Sequence, residues 1–63
     1  MKNYIFDVKY RDPAKTHAME KRIAIPAAGY LQAWIGCVEY MWEFLGTDLY
    51  RVDEIGLVTI EEL

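Results

Sequence analysis

Few side chains in this chain combine the types and spacing that catalysis needs. His17 and Cys37 are the only soft ligands, and the only Cys–His pair, among the 63 residues. Such a pair works when the imidazole reaches the sulfur and the thiol pKa is lowered. His17 follows a proline-initiated loop, whereas Cys37 lies mid-way along an apolar run. The expectation is therefore a solvated imidazole and an inert core thiol. Asp53-Glu54 and Glu61-Glu62 are adjacent acids, and neighbours on a strand point to opposite faces, so neither pair makes a two-carboxylate site. There is no serine, no Gly-x-Gly pattern and no glycine-rich phosphate loop. One cysteine allows no internal disulfide and leaves a cysteine-based zinc site without its ligands. The chain is expected to be no enzyme, with no catalytic residues, metal, cofactor or small-molecule substrate.

Charge offers a second kind of chemistry. The net charge is −3, but residues 1–22 hold six bases against three acids, and the rest holds Arg51 against seven acids. Lys9, Arg11, Lys15, Lys21 and Arg22, with Tyr10 among them, form a candidate phosphate-contacting ribbon. Glu20 and Asp12 dilute that patch, and a pI near 4.9 opposes binding to a long duplex. Nucleic-acid binding through this hairpin is the alternative reading, not the leading one.

The elements that carry these residues are legible from periodicity. Tyr4, Phe6, Val8 and Tyr10 alternate with Ile5, Asp7, Lys9 and Arg11, the period-two pattern of a half-buried strand. Asp12-Pro13 ends it, and residues 14–17 complete a loop. A second strand is expected over Ala18–Ile25, closed by Pro26, with Met19, Lys21, Ile23 and Ile25 on one face. The lysine in that row suits an edge. A third strand, within Leu49–Ile60, has a parity conflict: Val52, Val58 and Ile60 oppose Ile55 and Leu57. Either both faces are apolar, or a bulge near Gly56 switches the register. Glu61-Glu62 is expected to end the ordered chain.

Between the second and third strands lies Tyr30–Leu45, in which 12 of 16 residues are apolar or aromatic. Gly29 is a candidate N-cap and Gly46 a candidate left-handed C-terminal residue. At about 100° per residue, Gln32, Gly36, Glu39 and Glu43 share a polar strip roughly 60° wide. The opposite side, Tyr30, Trp34, Cys37, Val38, Met41 and Leu45, is expected to face the sheet. Gly36 then reads as a tolerated surface glycine or as a point of close backbone approach. The resulting fold class is α+β: a two-layer sandwich, β-β-α-β, with a three-stranded antiparallel sheet in order 2-1-3 and one helix on one face. The chain forms one domain, residues 1–63.

Two helix flanks remain, Leu31, Ile35 and Trp42 on one side and Ala33, Tyr40 and Phe44 on the other. A three-stranded sheet about 14 Å across does not cover both. The candidate interface is therefore Leu31, Ile35, Trp42, Tyr40 and Phe44, and the expected partner is a second copy of this chain, a host protein, or both. Asp7 and Lys9 interrupt the first apolar run before it becomes a signal-peptide core. The helix, at roughly 16 residues, falls short of the ~20 that span a bilayer. The expected location is cytoplasmic, away from membranes.

The strand Tyr4-Ile5-Phe6-Asp7-Val8-Lys9-Tyr10, the single helix Tyr30–Leu45 and the closing run from Val52 to Ile60 together resemble the small β-β-α-β orphan proteins of bacterial phages and mobile elements. That resemblance implies an accessory protein or an inhibitor of host machinery. It carries no functional residue with it.

Overall fold

The computed structural model describes residues 1–12, 15, 17–46 and 51–63. Three strands and a helix follow one another: β1 (Lys2–Arg11), β2 (Ala18–Ala27), α1 (Tyr30–Leu45) and β3 (Val52–Glu62). The strands form one antiparallel sheet in the order β2-β1-β3, and α1 packs on one face. This is the two-layer α+β sandwich that the alternation and the single crossover require. The ends of the segments differ from the sequence reading. Pro26 does not close β2 but pairs with Asn3 inside it. An edge strand tolerates a residue that lacks an N–H, and β2 is an edge. Glu61 and Glu62 do not follow the last strand but belong to it, opposite Asn3 and Lys2. The turn expected at Thr47-Asp48 and the strand residue Leu49 lie outside the described residues.

The core is built on the inward row of β1. Phe6 and Val8 are fully buried, and Tyr4 and Tyr10 nearly so. Ile23 and Ala27 of β2 join them, with Ala33, Cys37 and Met41 of the helix. No buried side-chain polar atom among the described residues lacks a hydrogen bond.

The parity conflict in β3 is resolved by two register shifts rather than one. Ile5 pairs with Thr59 and Phe6 with Leu57, which leaves Val58 as an extra residue. Lys9 pairs with Glu54 and Tyr10 with Val52, which leaves Asp53 extra. The shifts lie on either side of Gly56, not at it. Together they bring Val52, Ile55, Leu57 and Ile60 beside Tyr10, Val8, Phe6 and Tyr4 on the helix side. Ile55 and Leu57 therefore do not lie on the far face, where Ile5 and Ala24 pair among charged neighbours.

The helix begins at Gly29, whose backbone is extended. The Ala28 amide donates to the Gln32 side chain at 3.3 Å, so the residue in the first turn satisfies an otherwise orphaned donor just before the helix. Gly46 ends it with φ of 69°, a left-handed conformation that glycine adopts without strain.

Candidate protein-interaction face

The helix is turned on its axis relative to the face expected from hydrophobicity. Trp34 and Tyr30 do not sit beneath it: they are 40% and 50% exposed, while Ala33, Cys37 and Met41 are completely buried. At about 100° per residue, this is a roll of roughly 50° towards β2. The cause is Gly36. It faces Ile25 of β2, and a Cβ built on it would lie only 2.9 Å from Ile25 Cγ2. Gly36 therefore belongs to the packed face, not to the polar strip. Its missing side chain lets the helix settle close to the sheet, and the small side chains of Ala33 and Cys37 continue that contact.

The roll separates the two flanks. Tyr40 and Phe44 lean over β2 and the end of β1. Phe44 stands edge-on to Tyr10 with ring centroids 5.6 Å apart, and the Lys21 ammonium lies 4.9 Å from the Phe44 centroid and 5.8 Å from that of Tyr40. Lys21 thus covers aromatic faces, an arrangement worth about 0.5–1 kcal/mol at an exposed site. Tyr30, at the other end of the helix, packs against Tyr4 and Phe6 at 6.3 and 6.2 Å. Tyr40 and Phe44 nonetheless stay 40% and 48% exposed; on the opposite flank no ring or lysine contact of this kind is found among the described residues. Leu31 is 71% exposed, Ile35 46% and Trp42 52%.

With Trp34 and the partly buried Val38 and Leu45, that flank forms a continuous stripe along α1. Leu31, Ile35, Val38, Trp42 and Leu45 follow one another at intervals of four, three, four and three residues. Such spacing keeps one seam in line along a helix and is the pattern by which helices pack on helices. Beside the stripe, a shallow depression of about 210 Å³ is lined by Val38, Glu39, Trp42 and Glu43.

The sheet continues the apolar surface. The helix lies over β1 and β2 rather than β3, because a helix about 10 Å wide covers roughly two strands at 4.7–4.9 Å spacing. Leu57 and Ile60 consequently remain 39% and 45% exposed, on the same side of the sheet as the helix. Sequence reasoning named Leu31, Ile35 and Trp42 as an uncovered flank of α1, which they are, but took Trp34 for core and did not place Leu57 and Ile60 on this side. The 4-3-4-3 spacing was the available signal for the stripe; the β3 contribution depends on two register shifts that residue parity alone does not locate.

The basic residues of the hairpin are not gathered on one surface. The Arg22 guanidinium donates to both carboxylate oxygens of Asp7, at 2.7 and 3.0 Å. Lys9 pairs with Glu54 at 3.8 Å and Arg11 with Asp53 at 2.9 Å, on the sheet face away from the helix. Lys21 points to the helix side, and Lys15 lies exposed in the loop. Carboxylates from β1 and β3 thus interrupt the cationic ribbon, and the Arg22 partnership holds the Asp7 carboxyl below its ordinary range.

Nor do the two soft residues meet as a catalytic pair. Cys37 is buried under the helix, and desolvation raises its thiol pKa, which disfavours the thiolate that nucleophilic chemistry uses. His17 is exposed before β2. Among the described residues, no three His, Cys, Asp or Glu side chains are placed to hold a metal ion, and no helix is long and apolar enough to cross a membrane. No protein-family model, curated protein or solved structure matches this chain.

Proposed function

We propose that this chain is a small non-catalytic interaction module whose working surface is the outer stripe of α1 together with the open face of β3, and that it functions as a homodimer. The observation that carries this reading is the stripe itself: Leu31, Trp34, Ile35 and Trp42, each 40–71% exposed, on a helix whose other apolar face is already in the core. Two half-exposed tryptophans leave on the order of 100 Å² each in water, and covering that area is worth about 2.5 kcal/mol apiece at 25 cal/mol per Å². A chain of 63 residues is also near the size at which an unaided core is marginal. Association adds to the core what the sequence is too short to supply. In this reading the pair acts in the cytoplasm, and its role is that of an accessory or inhibitor engaging a host protein, as the resemblance to small phage and mobile-element proteins implies.

Light scattering after gel filtration tests the proposal. The expected mass is twice 7.4 kDa at micromolar concentration, falling to the monomer with Trp42→Glu while the circular dichroism spectrum of the fold persists. A concentration-independent monomer mass overturns it.

A further inference from the structure

We infer that the partner copy lays its α1 antiparallel against this one, seam to seam, in the trough between α1 and β3. The inference rests on the self-association proposed above and adds its geometry. The trough has a helix wall, Trp34, Val38 and Leu45, and a sheet floor, Leu57 and Ile60, the latter left open because α1 covers only β1 and β2. A second helix lying beside the first, about 10 Å wide, covers β3 and extends past the edge of the sheet.

The occupant is a second copy because the stripe matches itself when reversed. Leu31, Trp34, Val38, Trp42 and Leu45 are spaced 3-4-4-3 and so are symmetric about Val38; reversing this set places Leu31 against Leu45 and Trp34 against Trp42, with Val38 on the two-fold axis. Charge selects the same direction. The helix has no acidic residue in its first turn and no basic residue in its last; its only charged side chains, Glu39 and Glu43, lie in the C-terminal half. There they sit towards the negative end of their own helix dipole. A parallel pair would gather all four glutamates at the same end of the dimer. The antiparallel pair sets them beside the uncharged, electropositive N-terminal half of the neighbouring helix.

The area is adequate. A standard interface takes about 800 Å² from each partner, roughly a fifth of the 4357 Å² that this chain exposes. The exposed parts of the stripe and of Leu57 and Ile60 supply several hundred Å² of that as apolar surface, on the order of an interface core.

Single cysteines introduced on the stripe read the direction, with the wild type as control because Cys37 is buried. Under diamide oxidation, Val38→Cys is expected to form a covalent dimer and Leu31→Cys is not, since two copies of residue 31 lie about 20 Å apart along an antiparallel pair at 1.5 Å per residue. A disulfide tolerates no more than about 7 Å between Cα atoms. Mixing Leu31→Cys with Leu45→Cys should restore cross-linking, at least roughly tenfold faster than either alone by the same distance limit. Spin labels on Leu31→Cys, which is exposed and leaves the core intact, give the separation without any disulfide. A dimeric mass with rapid cross-linking of Leu31→Cys alone overturns the antiparallel arrangement in favour of a parallel one. A dimeric mass with no cross-link at Val38→Cys places the interface elsewhere. A monomeric mass overturns the dimer itself, and this arrangement with it.

Discussion

The two apolar sides of α1 differ in residue size rather than in hydrophobicity. The side against the sheet consists of Ala33, Gly36, Cys37 and Met41; the side in water carries Leu31, Trp34, Ile35 and Trp42. If burial simply followed apolar area, these sets would be exchanged. Close packing of a helix on a sheet rewards small residues because the backbones approach each other, and one methyl on Gly36 already collides with Ile25. The bulky set is left for a surface that does not have to fit so tightly. Hydrophobic content identifies the helix as doubly apolar; the close approach at Gly36 fixes which side is inside, with Met41 the one large side chain on it.

That contrast breaks most readily at Met41, which is fully buried. Met41→Ala should cost about 3 kcal/mol in urea unfolding, the ordinary toll of a large-to-small change in a core. Trp42→Glu, on the other side, should leave the unfolding of the dilute monomer within about 0.5 kcal/mol, as surface substitutions do. Its effect belongs in association, where removal of a central aromatic anchor costs about 2 kcal/mol, on the order of thirtyfold in the dissociation constant. A large loss of monomer stability from Trp42→Glu would mean that the outer side is part of the fold.

Gly36→Ala sharpens the steric argument. On an open helix surface it would stabilise by about 1 kcal/mol through propensity. Against Ile25 it should instead destabilise by about 1 kcal/mol, since overpacking outweighs that gain. In an Ile25→Ala background the same change should become neutral or favourable, which a double-mutant cycle of denaturation midpoints measures.

The smallest effect lies on the far face of the sheet, where polar pairs replace apolar packing. The Arg22 hydrogen bonds lower the Asp7 pKa in the folded state. A depressed carboxylate stabilises the fold above its ordinary titration range and loses that contribution as the pH falls through the folded value. Asp7→Asn should therefore melt slightly below the wild type at neutral pH, and the two should converge below the ordinary aspartate value of 3.8. Melting curves across that range check the sign.

Much of this architecture is written in local pattern. The alternation of Tyr4 to Tyr10 specifies the central strand, and Gly29 and Gly46 bracket the helix at its observed limits. Strand order follows from one crossover and a lysine-bearing edge. The rotation of the helix is less legible, because angular sorting weighs Trp34 above Ala33 and treats Gly36 as polar surface. The same is true of β3: an extra residue at Val58 and another at Asp53 restore a common face that strict parity denies. Of the proposed interface, Leu31, Ile35 and Trp42 are visible as an uncovered flank, whereas Tyr40 and Phe44 turn out to have ring and lysine neighbours on this chain. A pattern read along one segment cannot report how closely two segments approach.

The irregular pairing of β3 also governs how growth of the sheet stops. A long, flat outer strand is a template on which further chains add without limit, the route to fibrils. Here the edge strand β3 is interrupted by two register shifts and carries Asp53 and Glu54 near one end and Glu61 and Glu62 at the other. A second β3 arriving antiparallel end to end would bring acids against acids at both ends. Polymerisation through the sheet edge is thereby discouraged.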